Sequence, residues 1–207
     1  MAPDCASDWI DGWWGSAIKT PSPNFGPRPS GASIDLIVVH SISLPPGEFG
    51  NGKVHALFTN SLDWDAHPYF STIRGLEVSA HFFISRTAEV FQFVSCDARA
   101  WHAGQSFYRG RGNCNDDSIG IELEGIEGGP FEEGQYLALA KLCKSLQKQY
   151  PIAHIAGHEH IAPGRKSDPG AGFDWGFLQQ LTEMPTSVFP EAIQAPKFGD
   201  LRVSPRS

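Results

Sequence analysis

Residues 34–42, IDLIVVHSI, form a short, β-branched and nearly unbroken apolar run ending on a histidine. A run of that length and composition predicts a strand covered on both faces, as in a sheet flanked by helices. His40 closes it, on the same side of the strand as Leu36 and Val38. Working outward, residues 118–125, SIGIELEG, predict a second core strand. Ile119, Ile121 and Leu123 share one face of it, and Gly120, Glu122 and Glu124 share the other. A glycine inside a strand weakens it unless something must approach closely. The carboxylate beside it reads either as a solvated edge residue or as a functional one.

Between these runs lie a turn-rich loop, a short helix over Val54 to Leu62, and a second loop, DWDAHPYF. Residues 79–94, SAHFFISRTAEVFQFV, predict two strands joined near Thr87 and Ala88, with His81 as a core histidine. Cys96 to Asp117 reads as a long polar and aromatic loop, of the kind usually tied to function. Glu132 to Gln149 predicts an amphipathic helix burying Tyr136, Leu139, Cys143 and Leu146, with early glutamates and late lysines matching the helix dipole. His154 to Ala156 predicts a short strand. Residues 173–181, FDWGFLQQL, predict a last helix packing on Phe173, Phe177 and Leu181. This order of elements predicts the α/β class (mixed α+β): a single domain with a central mixed β-sheet flanked by helices. Residues 1–30, rich in Trp and Pro, read as an arm laid over the domain by its aromatics. Residues 183–207, with Pro185, Pro190, Pro196 and Pro205, read as an extended tail.

Composition narrows the class. The 207 residues are 41% hydrophobic and 19% charged, ordinary for a globular domain, and the net charge of −7 excludes an electrostatic footprint for nucleic acid. No apolar run approaches a membrane span. The first 19 residues lack the charged and apolar regions of a signal peptide, and the four cysteines show no CxxC spacing. Reduced thiols in a cytoplasm are the expectation.

The densest chemistry lies in residues 156–170, AGHEHIAPGRKSDPG. His158, His160, Arg165, Lys166 and Asp168 crowd between two Pro-Gly breaks, a composition that suits a loop carrying a metal or catalytic site. The HExxH spacing of helical zinc sites is absent, so local spacing alone does not define a metal centre.

Six blocks carry a resemblance: IDLIVVHSISLPPGEFG, DWDAHPYF, VSAHFFISRTAEVFQFV, RAWHAG, CNDDSIGIELEG and GHEHIAPGRKSDPGAGFDW. In order, from about residue 20 to 182, the chain resembles the cytosolic AmpD-type N-acetyl-anhydromuramyl-L-alanine amidases. These zinc amidases share a fold with T7-type lysozyme amidases and peptidoglycan-recognition proteins. The resemblance implies a zinc amidase domain over 31–182 and one zinc ion per chain, held by His40, His158 and Asp168 with one position open. It implies Glu122 as general base and Lys166 as transition-state stabiliser. The implied substrate is an anhydro-muropeptide, cut between muramic acid and L-alanine during cell-wall recycling, with neither nucleic acid nor membrane as partner. Amidase action on intact peptidoglycan, or non-catalytic muropeptide binding, is the alternative. Trp101 and His102 of RAWHAG read as substrate contacts, and Arg109, Arg111 and Arg165 as holders of substrate carboxylates. The chain departs from the family pattern at Ser41, Glu77 and Asn113. His160 reads as a bystander.

Overall fold

The structure, a computed structural model, describes residues 8–190. Six strands build its main sheet: β1 (Ile18–Lys19), β2 (Leu36–Ile42), β3 (Phe82–Ile84), β4 (Val90–Gln92), β5 (Ser118–Glu124) and β6 (His154–Gly157). Their spatial order is β6-β2-β5-β3-β4-β1. β2 runs parallel to both β5 and β6, β5 runs parallel to β3, and β3 and β4 form the antiparallel hairpin. The sheet is therefore mixed, as expected. β2 and β5 lie at its centre, which is why the first five residues of β2 and all seven of β5 are buried. Central placement removes the edge-strand reading of Glu122.

Helices cover both faces. On one, α3 (Glu133–Gln149) and α5 (Trp175–Thr182) pack over Ile37, Val39, Ile119, Ile121, Leu123 and Ile155. A capping box starts α3, with Gln135 and Glu132 each answering the other's backbone. Tyr136, Leu139, Cys143 and Leu146 all face the core, as their spacing predicts. The last helix turns differently from the expectation. Trp175 and Leu178 are its buried apolar residues, while Phe177 and Leu181 are only partly covered. The reason is its start: Asp174 caps it, accepting from the Phe177 N–H, and so sets the helical phase.

The opposite face carries α1 (Lys53–Phe58) and α2 (Pro68–Thr72), which bury Leu57, Phe58 and Phe70 beside Phe83 and Phe93. α2 lies partly within DWDAHPYF, which reads as a loop in the sequence. His67 caps it by accepting from the Tyr69 N–H, and Pro68 occupies the first helical position, where its missing N–H costs nothing.

Residues 8–30 lie on the core. Trp9 and Trp14 are buried with their rings stacked, Ile18–Lys19 adds the outer strand β1, and Arg28 donates to the carbonyls of Cys96, Asn115, Asp116 and Ser118. Residues 183–190 also pack inward: Met184, Val188 and Phe189 join the core, and Thr186–Val188 forms a 3₁₀ turn. The expectation of an extended tail from Glu183 thus fails over these eight residues, because their apolar side chains find a buried surface. Residues 191–207 lie outside the described residues, as do residues 1–7, including Cys5. Among the described residues, no helix is long and apolar enough to cross a membrane.

Candidate metal centre and cleft

Strand register brings the site together. Glu122 and His40 are direct neighbours across the parallel pair, and Gly157 pairs with Val39, so His158 follows beside His40. Glu122, His40 and His158 thus stand in a row toward the carboxyl ends of three adjacent parallel strands, where α/β sheets commonly bind ligands. The chain turns at His158 into α4 (His158–Ile161), and the following loop returns Asp168 to the same point. The Glu159 N–H donates to the Asp168 carbonyl, and Gly170 takes a φ of 79° where a Cβ would lie 2.7 Å from the Gly128 nitrogen. A side chain there would have to displace backbone.

The three donor atoms form a small triangle. His40 Nδ1 lies 3.0 Å from His158 Nδ1, and Asp168 Oδ2 lies 3.2 Å from each. A tetrahedral ion with bonds of about 2.0–2.1 Å separates its ligands by roughly 3.3 Å, so this spacing fits a zinc-sized ion held at three corners. The histidines also carry the right tautomeric support. His158 Nε2 is 3.1 Å from the Ala103 carbonyl, which can only accept, so the ring proton sits there and Nδ1 offers its lone pair to the triangle. The side chains of His40 and His158 are 1% and 5% exposed and that of Asp168 is 14% exposed, which leaves the triangle open on the aspartate's side.

Electrostatics match this grouping. Burial lowers the His40 pKa to about 4, with the Asp168 carboxylate opposing the shift. Burial alone would raise Asp168, but its close contacts with His158 and His40 outweigh that and hold the carboxyl well below the usual range. Glu122 moves the other way. Burial pushes it well above the ordinary carboxylate range, Asp168 adds to the shift, and Lys166 opposes it.

The two glutamates of β5 separate cleanly by partner. Glu124 is satisfied at both oxygens, accepting from the Gly50 N–H at 2.5 Å and the Arg86 N–H at 3.0 Å, and so ties two loops together. Glu122 is also buried, yet its Oε2 has no partner. An unsatisfied buried carboxylate oxygen costs on the order of 1–3 kcal/mol or more, and such an atom beside a ligand triangle marks a functional group.

A cleft of about 600 Å³ opens over the triangle. Glu122, His158, Lys166 and Asp168 line its polar end, with Trp101 and His102, while Leu57, Phe58, Tyr69 and Ile73 supply an apolar wall. The remaining expected residues fall differently. Arg109 is not among the cleft-lining residues; its guanidinium lies over the Tyr108 ring at 5.6 Å. Arg111 is held by Asp35 and Asp117. Arg165 reaches the cleft, but its guanidinium donates to the Ala103 and Gln105 carbonyls and braces that loop. Arg111 is thus held by fixed carboxylates and Arg165 by backbone carbonyls, while Arg109 lies outside the cleft lining. His160 stands aside from the triangle and accepts the Gly157 N–H. Sequence reading took His102 for a substrate contact and missed its hydrogen bond to His40, at 2.9 Å; the glycine in SIGIELEG was the available signal.

A buried His-His-Asp triangle at the strand ends of a mixed sheet, beside a lone carboxylate, is a donor set suited to holding a metal ion next to a general base. The chain belongs to the N-acetylmuramoyl-L-alanine amidase family, whose profile matches residues 30–171. It is 49% identical over 173 residues to the 1,6-anhydro-N-acetylmuramyl-L-alanine amidase AmpD of Citrobacter freundii, covering 83% of this chain and 92% of that protein. Among solved structures, a selenomethionine derivative of AmpD is 50% identical and matches with a TM-score of 0.81, over 83% of this chain and 97% of that one. The amidase AmiD of E. coli, solved in complex with anhydro-N-acetylmuramic acid-L-Ala-D-γ-Glu-L-Lys, matches with a TM-score of 0.53 at 30% identity. That match covers 74% of this chain and 60% of AmiD.

Proposed function

We propose that the protein is a zinc amidase that hydrolyses the bond between N-acetyl-anhydromuramic acid and L-alanine in muropeptides released during cell-wall recycling. The observation that carries this reading is the triangle of His40, His158 and Asp168 donors, 3.0–3.2 Å apart, next to the unpartnered Glu122. The substrate is taken from the AmpD and AmiD relatives.

In this reading residues 31–182 form the amidase domain, with residues 8–30 as an arm packed on it. His40, His158 and Asp168 hold one zinc per chain. When bound, zinc supplies Lewis acidity toward the scissile carbonyl and toward water, so that a nucleophile is available near neutral pH. Glu122, whose raised proton affinity suits a base, takes the proton of the attacking water and returns it to the leaving alanine nitrogen. A divalent cation beside Glu122 favours its charged form and keeps it able to accept. Lys166, in the cleft, places a positive charge where the oxyanion develops. Trp101 offers a flat apolar surface to the sugar or peptide. The three unpaired cysteines among the described residues, Cys96, Cys114 and Cys143, suit a reducing cytoplasm.

The test is direct. Anhydro-muropeptide and intact peptidoglycan are each incubated with the protein, with and without a zinc chelator, and the products are identified by mass spectrometry. The expected result is free peptide from the anhydro-muropeptide, lost on chelation and regained with zinc. Binding without release would make the protein a muropeptide receptor, and cleavage of intact peptidoglycan alone would move the substrate to the wall itself.

A further inference from the structure

We propose that Ser118 and His102 form a hydrogen-bond relay that fixes the tautomer of His40 and so presents its Nδ1 lone pair to the metal. This rests on the reading of His40 as a ligand and makes His102 a positioning residue.

The direction of the relay follows from counting protons. The Ser118 hydroxyl is in close contact with the Cys114 carbonyl, which can only accept, so the hydroxyl proton goes to that carbonyl. Were it turned away, two lone-pair oxygens would face each other at contact. The serine oxygen is then an acceptor for His102 Nε2–H, 3.2 Å away. With its proton on Nε2, His102 has a bare Nδ1, which accepts from His40 Nε2–H at 2.9 Å. The His40 proton is thereby placed on Nε2, and Nδ1 is left with a lone pair facing His158 and Asp168. Metal-bound histidines are commonly held this way by an outer partner. Here the partner is another imidazole, whose own tautomer has to be set one step further out.

Two independent features hold the relay in place. Gly120 lies between Ser118 and Glu122 on the strand, and a Cβ there would lie 2.4 Å from His102 Cγ. The missing side chain is the space the ring occupies. The backbone N–H groups of His102 and Ala103 both donate to the Asn115 side chain, at 3.1 and 2.8 Å, fixing the segment that carries the ring. The Ala103 carbonyl of the same segment sets the tautomer of His158. One dipeptide therefore orients both histidines of the centre, by a side chain on one and a carbonyl on the other.

The experiment reads imidazole protons and zinc affinity separately, on the full chain. Long-range ¹H–¹⁵N spectra of the metal-free protein should show His40 and His102 each with the proton on Nε2. Ser118→Ala should mix the tautomers of both rings and weaken zinc binding, measured by chelator competition, by about tenfold or more. Ser118→Thr, which keeps the hydroxyl, should restore both readouts. A merely structural serine would lower the unfolding temperature and leave the tautomers alone. A wild-type His40 carrying its proton on Nδ1 overturns the proposal without any variant, even where zinc binds one per chain. So does a folded Ser118→Ala with unchanged tautomers and unchanged zinc affinity. Failure of the wild-type chain to take up zinc overturns the metal centre itself, and is told apart because the tautomer spectra do not depend on zinc.

Discussion

On one face of the central sheet, Ile37, Val39, Ile119, Ile121 and Ile155 all lie fully buried beneath α3 and α5. On the other face the same strands present His40, Ser118, Gly120 and Glu122, also buried, over a cleft. The strands are shared, so the difference is one of side chains at alternate positions. The first face gains stability from apolar area, about 25 cal/mol per Å² removed from water, and tolerates exchanges that conserve volume. The second gives up that gain at each polar position, and what it holds is set by hydrogen-bond direction. Removing a group from the first face should therefore cost stability and spare chemistry, and removing one from the second should do the reverse.

The sharpest break of this contrast is Glu122→Gln. Glutamine keeps the volume and cannot serve as base, so turnover should fall by about 100- to 10,000-fold. Zinc stoichiometry and unfolding temperature should stay near wild type, because Oε2 satisfies no buried donor that the fold depends on. Activity within threefold of wild type would take Glu122 out of the reaction. Its mirror on the apolar face is Leu139→Ala in α3, where a fully buried side chain is cut back. That change should lower stability by roughly 2–5 kcal/mol in denaturant titration, with the turnover of the folded protein unchanged. A large loss of turnover at full folding would mean that the two faces are coupled.

How much of this was legible in the sequence divides along the same line. The apolar face was readable because its signals are local. The run through β2, the alternation in β5 and the spacing of Tyr136, Leu139, Cys143 and Leu146 each declare a burial pattern within one element. Where a local cap intervened, as at His67 and Asp174, the reading slipped on the start of α2 and on the phase of α5. The site was only half readable. His40 at a strand end and Asp168 before Pro169 are recognisable by resemblance. That a triangle forms depends on a register joining residues more than a hundred positions apart, which no window contains. The arginines are hard to tell apart for a related reason: Arg111 and Arg165 look alike as free loop cations, and their fixed partners come from other segments. Gly120 was the one residue whose oddity in the sequence pointed correctly, to a close approach, without naming what approached.

That glycine gives the smallest but most discriminating perturbation. Gly120→Ala adds one methyl group to a strand where alanine is otherwise acceptable, and on the apolar face a change of this size would be nearly silent. Here the new Cβ meets His102 Cγ at 2.4 Å and Nδ1 at 2.6 Å, well inside any contact a ring can absorb without moving. Overpacking of this kind costs about 1–3 kcal/mol. The ring sits between Ser118 and His40, so the strain should appear as a lost hydrogen bond on both sides of it. The expected outcome is a modest drop in unfolding temperature together with weaker zinc retention under chelator challenge, while Glu122 and the apolar wall of the cleft are untouched. If zinc is retained as in the wild type and only stability falls, the space above Gly120 serves packing alone, and the two faces differ less than their side chains imply. If zinc retention falls, a single missing methyl group on β5 is what lets the loop over the sheet reach in and set the metal ligand.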